Sequence, residues 1–578
     1  MKGSSIYRIG FVCLAVVLFS CDKDYLNRPP EDQVDAEFFF NTAKDLEVAT
    51  NDFYTMISGK DVYTDDSHSD NVVPLIASDR VRGSRIVPTR RGSGGWSWGR
   101  LRDINFFLEN YHKVSDEDAK LHYGGVARFF RAYFYFDKVQ KFGDVPWYGK
   151  VLKAGDEGLY KPRDSRELVM DSIMVDIDYA IDHIPAEKEL NKVTKYTALL
   201  LKARIALYEG TWRKYHGKGD YERFLNEAVV AAETLMNSGE YSLFTSGGAD
   251  AAYRNLFSRD NQDMVETILA QDFEREKEHH NLGYLMTAPT SGAWGVPKDL
   301  VNSYLMKNGT RFTDVANYDE MEFYEEMQNR DPRLKQTTAG PNFIVNGESS
   351  VEPVTLAGTT TGYRVIKGLP SKDQWSAAHF DLIVFRYAEA LLTFAEAKAE
   401  LGAITQADLD KSVNLLRDRV GMPHLNLANA NANPDQYLEN MYVNVDQGLN
   451  KGVILEIRRE RRIEMFNEGL RWDDLMRWKE GKKIEQPMVG IYFSGLGGYD
   501  FNNDGNVDVY LHDGDPSGAP STATTLINIQ QRPLTNGTSG NLNPFSLGGS
   551  FDESKDYLYP LPLEDLSLNS NLEQNPNW

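Results

Sequence analysis

The chain has 578 residues, of which 41% are hydrophobic and 26% charged, and its 85 acidic against 63 basic side chains give a formal net charge of −22. Such an acidic chain is repelled by a phosphate backbone, which excludes nucleic acid as a partner, and its apolar content excludes disorder. The only cysteines are Cys13 and Cys21, so no disulfide framework is available and stability must come from core packing. The length allows one large domain or two to four modules.

The first elements lie in a leader. Lys2 and Arg8 flank a start that runs into an apolar stretch over residues 9–19, too short to span a bilayer as a permanent helix. Leu18-Phe19-Ser20-Cys21 then resembles a bacterial lipobox, with Phe19 departing from the usual middle residue. That resemblance implies removal of residues 1–20 and acylation of Cys21. Asp22, Lys23 and Asp24 resemble the export tag that sends lipoproteins of the Bacteroidetes to the outer face of the outer membrane. No later apolar stretch reaches membrane-spanning length, so attachment would rest on the lipid.

Beyond the leader, helical periodicity dominates the chain. Long helices are predicted over residues 43–57, 101–111, 116–141 and 165–183. Leu199, Leu200, Ala203, Ala206 and Leu207 mark one amphipathic face, and Leu225, Ala228, Val229, Ala232, Leu235 and Met236 mark a second. With Gly210 and Lys218-Gly219-Asp220 between them, they read as an antiparallel hairpin that stops at Asn237-Ser238-Gly239. Residues 240–380 hold short apolar segments broken by Gly, Pro and Asn. Residues 381–401, with Tyr387, Leu391, Phe394, Ala395 and Ala399, predict another helix, ended by Gly402 and followed by a run through Leu409, Val413 and Leu416. Residues 487–555 are rich in Gly, Ser, Thr and Asn and have no helical period. The expected architecture is mainly α: hairpins resembling tetratricopeptide repeats, without a strict repeat of about 34 residues, carrying loop-rich and short-strand insertions at 240–380 and 487–555.

The stretch from Glu460 to Trp478 is the strongest internal signature. Ile463, Phe466 and Leu470 line one face, Glu460 and Glu464 stand a turn apart on another, and Gly469 permits a break. The run Arg458-Arg459-Glu460-Arg461-Arg462 reads as a solvated or ion-paired helix face in so acidic a chain. At these residues the sequence resembles the SusD/RagB family of outer-membrane nutrient-binding lipoproteins. Further matches are Asp24-Tyr25-Leu26 beside Cys21, Trp98 with Asn105, Phe142-Gly143-Asp144-Val145-Pro146, Arg330-Asp331-Pro332-Arg333, Arg386-Tyr387-Ala388-Glu389, and the tail Gln574-Asn575-Pro576-Asn577-Trp578. The resemblance implies one helical domain over residues 21–578 with a loop-rich ligand face. It also implies a SusC-like TonB-dependent porter as partner, to which oligosaccharide is delivered uncleaved. Peptide or glycopeptide capture on the same fold, and hydrolysis of a surface glycan, are the competing readings.

Catalytic motifs are sparse. Neither His-Glu-x-x-His nor a phosphate-cradling glycine loop nor Gly-x-Ser-x-Gly occurs, and His279 and His280 are neighbours that face apart. No cofactor is required by anything in the sequence. A sugar offers an apolar C–H face and a hydroxyl rim, so its site needs flat aromatic platforms beside polar side chains. Trp96, in a Gly-rich loop, Trp294 and Trp375 are the platform candidates, with Asp79, Arg80 and Arg82 as polar partners. For Trp96 and Trp294 the alternative is packing under a loop. Trp98, Trp472 and Trp478 read as core. Asp500, Asn502, Asp504, Asn506 and Asp508 surround Gly505 with the spacing of a calcium loop, but the twelfth position is Leu511. A structural calcium ion completed by Asp513 or a carbonyl, and a polar turn between two strands, are both open for this segment.

Overall fold

The computed structural model describes residues 39–445, 448–546 and 548–578; the leader and Cys21 lie outside the described residues. Helix α1 (Ala43–Asn51) opens on a capping box in which the Thr42 hydroxyl accepts from the Asp45 N–H and the Asp45 carboxylate accepts from the Thr42 N–H. It runs on as a tighter 3₁₀ turn, Asp52–Met56. Helices α2 (Gly99–Asn110), α3 (Glu117–Phe142) and α4 (Arg166–His183) follow as the sequence predicts. Asp116 and Ser165 accept the orphan N–H groups at the starts of α3 and α4. Next come α5 (Lys195–Tyr215), α6 (Tyr221–Asn237), α7 (Tyr387–Glu400), α8 (Val413–Arg419), α9 (Lys451–Glu464) and α10 (Arg471–Arg477). The helices stack in series: α2 on α3, α3 on α4, α4 on α5, α5 on α6, α6 on α7 and α7 on α9.

The α5–α6 hairpin is tighter than its sequence reading. Gly210 lies inside α5 rather than in the turn, and a Cβ there would sit 2.8 Å from Leu225 Cγ. A side chain at that position would push the two helices apart. Ala203, Ala231 and Ala232 pack around Phe394 on the same seam, so the small residues do admit close approach.

Residues 382–386 correct the helix predicted from 381. Leu382–Arg386 forms strand β2, antiparallel to β1 (Thr267–Gln271), and α7 begins only at Tyr387. A short apolar run has no distinguishing period, and pairing with a distant partner decided it. The other strands are β3 (Tyr492–Phe493), β4 (Gly497–Tyr499), β5 (Val509–His512), β6 (Thr525–Asn528) and β7 (Gly540–Asn541). β3 pairs with β7, while β5 lies antiparallel to β4 and parallel to β6. The two loop-rich segments share one core: Phe257, Tyr304 and Tyr363 from the first pack in a cluster with Phe493, Phe501 and Val509 from the second.

Between that core and the helical stack lies α9, and its charges are buried rather than solvated. Arg386, at the start of α7, donates from every guanidinium nitrogen: to Glu468 (2.7 and 2.6 Å), Glu464 (2.8 Å) and Glu266 (2.8 Å). Arg419 Nη2 donates to both Glu464 oxygens, at 2.7 and 2.6 Å, and Arg333 reaches the same carboxylate at 3.3 Å. Around the helix, Arg461 pairs with Asp474 at 2.9 Å, Arg462 reaches Asp70 at 3.1 Å, and Arg471 reaches Asp70 at 2.6 Å. Arg458 has its guanidinium 4.3 Å from the Trp478 ring centroid. The ion-paired half of the sequence reading is correct and the solvated half is not.

Burial alone would raise the Glu464 carboxyl, but Arg419, Arg386 and Arg333 hold it well below the usual carboxylate range. A carboxylate so depressed adds stability above its unfolded value of about 4.3 and loses it as pH falls toward the folded value. Glu464→Gln is expected to lower unfolding free energy by about 3–5 kcal/mol at neutral pH, because three buried arginines lose a charge partner. Urea titration at pH 7 and pH 4 measures this, and the gap between variant and parent should narrow at the lower pH.

Candidate functional site

A large cleft, about 500 Å³, lies where the start of α2 meets the 146–160 loop and the C-terminal helix Leu563–Leu568. Trp98, Tyr148 and Tyr160 supply its aromatic faces, and Arg91, Arg102, Lys150 and Asp565 supply polar groups around it. Trp98 stands edge-on to Tyr148, with centroids 5.7 Å apart at 84°. Tyr160 is 52% exposed.

Each wall is held from behind. Asp176 takes Arg131 in a fork at 2.6 and 2.7 Å; Arg131 donates to Asn105 Oδ1 at 3.3 Å; Asn105 Nδ2 donates to the Tyr148 carbonyl at 2.8 Å. The Tyr148 N–H donates to the Tyr135 hydroxyl at 2.6 Å. Across the cleft, Asn571 Nδ2 donates to the Tyr160 carbonyl at 2.7 Å, and Asn569 Nδ2 to the Lys161 carbonyl at 2.9 Å. Asp565 accepts from the Gly92 N–H at 2.8 Å and thereby ties down the Gly-rich loop; burial raises its carboxyl above the usual range. Aromatic faces beside fixed donors and acceptors are what a sugar ring requires.

The predicted residues are scattered. Trp96 is among the residues that line this cleft, but it is 2% exposed and packs edge-on to Trp98 and to Phe142, so the Gly-rich loop folds it inward as support for Trp98. Trp294, at 3%, belongs to the core shared by the two loop-rich segments. Both rings are almost wholly buried, because burying a ring this large outweighs presenting it. Trp375 is half-buried, with its indole N–H donating to the Pro370 carbonyl at 3.2 Å. Asp79 and Arg82 are exposed on the short turn Asp79–Arg82, outside the large cleft. Arg80 lines a different crevice of about 300 Å³ together with Asp65, Asp473, Tyr133 and Tyr559. There Arg80 pairs with Asp65 at 2.9 Å, and Asp473 accepts from Gln140 at 2.6 Å. Burial, with Asp65 nearby, pushes Asp473 up to about 7.

Trp98, expected to be core, is half-buried and forms a cleft wall; Tyr148 and Tyr160 were missed. The available signal was the loop after Phe142-Gly143-Asp144-Val145-Pro146, where a long helix ends on Gly and Pro and aromatic residues follow. The 500–508 segment is the connection between β4 and β5. Asp500 accepts from the N–H groups of Asp504 (3.2 Å) and Gly505 (2.8 Å), and Asp508 accepts from that of Phe501 (2.9 Å). Among the described residues no group of three or more His, Cys, Asp or Glu side chains is placed to hold a metal ion.

The SusD family model matches residues 241–578, and the chain belongs to that family. SusD-like protein P38 of Formosa agariphila is 26% identical over 504 residues, 82% of this chain and 91% of that one. A SusD-like protein of Bacteroides fragilis superposes with a TM-score of 0.71 at 22% identity, covering 95% of this chain and all of that one. A second structure from Bacteroides fragilis, described as a SusD-like carbohydrate binding protein, gives a TM-score of 0.69 at 21% identity, covering 93% of this chain and all of that one. The mainly helical fold is therefore shared with solved members of the family.

Trp96→Ala is expected to cost about 3–5 kcal/mol of stability, as for any buried indole. Tyr160→Ala should change stability by no more than about 0.5 kcal/mol, as for an exposed side chain. Denaturant melts of the two variants side by side check both.

Proposed function

We propose that the protein is a cell-surface lipoprotein that binds oligosaccharide without cleaving it and passes it to a SusC-like TonB-dependent outer-membrane transporter. In this reading residues 21–578 act as one domain, tethered through acylated Cys21. Membership of the SusD family supports it, as does the description of a structural neighbour as carbohydrate binding. The observation that carries it is the open cleft of Trp98, Tyr148 and Tyr160, where aromatic faces stand beside polar side chains. Among the described residues no helix is long and apolar enough to cross a membrane, which agrees with a lipid tether. Weak stacking at each sugar unit suits a receptor that must also release its cargo.

One observation favours hydrolysis as a second reading. In the smaller crevice two carboxyl groups are driven apart, Asp473 upward by burial and Asp65 downward by Arg80 against the pull of its own burial, which is how an acid and base pair is tuned. Both groups are engaged, Asp65 by Arg80 and Asp473 by Gln140. Incubating the purified protein with a panel of glycans separates the readings. Retention with no new reducing ends supports capture; new reducing ends that vanish in Asp473→Asn support hydrolysis. Tyr160→Ala is expected to weaken retention about tenfold, a change of about 1.4 kcal/mol. Mass spectrometry of the mature N-terminus should find an acylated Cys21.

Calcium at Asp500, Asn502, Asp504, Asn506 and Asp508 belongs to the same proposal, as a structural ion. Each carboxylate oxygen has two lone pairs, so accepting an N–H leaves capacity for a cation. Burial and the neighbouring Asp504 and Asp500 raise the Asp508 carboxyl, a repulsion that a dication would relieve. Calcium should raise the melting temperature and a chelator should reverse it; Asp500→Asn should remove the response.

A further inference from the structure

Arg386 is saturated, but several other arginines keep guanidinium nitrogens without an acceptor, and two of these lie side by side. Arg254 and Arg364 flank the Phe343 ring, with their guanidinium carbons 4.8 and 5.9 Å from its centroid. Arg364 is only 6% exposed. Its one carboxylate partner is Glu352, at 2.8 Å, and its Nε and Nη2 have no hydrogen-bond acceptor. Arg254 donates from Nη1 to the Ile344 carbonyl at 3.1 Å, and its Nε and Nη2 are likewise unsatisfied. Four buried donor nitrogens thus lack acceptors, on two guanidinium groups of which only Arg364 is paired with a carboxylate, and leaving them unmet is costly.

The surroundings fit a ligand that would supply those acceptors. Glu352 is carried on a segment without helix or strand, residues 341–356, whose Ile344 and Val351 are exposed. Trp375 also lies near Arg364, its ring centroid 5.3 Å from the guanidinium. Arg364, Glu352 and Phe343 line a small pocket of about 40 Å³, and Ser371 and Gln374, next to Trp375 in the chain, line an open groove of about 380 Å³ with Arg259, Asp260 and Asn346. An indole next to a forked cation matches a sugar that bears a negative group, since the ring stacks while the oxyanion takes the fork.

We infer that Arg254 and Arg364 form a site for the oxyanion of an acidic saccharide, a uronic-acid carboxylate or a sulfate ester, with Glu352 seated as its internal stand-in and Trp375 stacking the sugar. The inference rests on the glycan-capture reading and narrows it to charged glycans. An entering oxyanion displaces Glu352, moves the 341–356 segment outward and satisfies the idle N–H groups. Lys372, 3.9 Å from the other Glu352 oxygen, can keep the displaced carboxylate company.

Calorimetric titration of the full mature protein with an oligogalacturonate, a sulfated oligosaccharide and a neutral oligosaccharide of equal length tests it. A charged probe should bind at least about tenfold more tightly than the neutral one, with affinity that falls as salt rises. Binding of only one charged probe identifies the oxyanion as carboxylate or sulfate. Glu352→Gln should tighten charged binding several-fold by removing the competitor, an effect that misfolding cannot imitate. Arg364→Gln should abolish the preference while leaving neutral binding intact. Equal affinity for charged and neutral probes, or no gain in Glu352→Gln, overturns the inference and leaves glycan capture standing. Failure of every probe to bind overturns both.

Discussion

The structure depends on burying the charges of α9. An ion moved from water into a protein interior costs several kcal/mol, and only excellent geometry with saturated donors offsets it. Glu464 meets that condition by sitting among Arg386, Arg419 and Arg333, and Asp70 meets it between Arg462 and Arg471. A hydrophobic helix of the same length would pack more cheaply but would tolerate sliding and rotation. Forked guanidinium pairs fix both, since each demands one distance and one plane. The helix is thus held at one rotation between the helical stack and the core of the two loop-rich segments, and the loops that line the clefts inherit that setting.

The same logic operates on a smaller scale behind the large cleft. Tyr148 sits on an irregular loop, yet its backbone is clamped through Asn105 and Arg131 to Asp176 on α4. A ring on a loop is placed as accurately as one on a helix when its carbonyl and N–H are both spoken for. The Arg254–Arg364 pair is the counterexample within the same chain, since its donors are not spoken for. Arg458 also lacks an acceptor on every guanidinium nitrogen, but it is closed in against the Trp478 ring, whereas Arg254 and Arg364 lie beside a segment without helix or strand.

Much of the scaffold was legible in the sequence because amphipathic helices repeat. Residues 116–141 and 165–183 fell within a residue or so of α3 and α4, where a capping side chain precedes a periodic run. β2 was not legible, since Leu382-Ile383-Val384-Phe385 is as apolar on one side as on the other and its partner strand lies more than a hundred residues upstream. The site was harder. Gly-rich flanks around Trp96 suggest a means of presenting the ring, whereas they let the chain turn it inward against Phe142. Nothing local distinguishes those outcomes. Tyr148 and Tyr160 become cleft walls only through Asn105 and Asn571, and pairings across such distances leave no trace in spacing.

The ion cluster on α9 also bears on how the chain comes to be folded. Arg471 and Asp70 are 401 positions apart, and Arg386 joins Glu266 across 120. Contacts of such long range form late, because loop closure must precede their reward. A nascent polypeptide lacking its last quarter has no α9, so this ion cluster can close only once that part of the chain has been made. The charges that fix the finished fold are therefore also the ones that set when it can close.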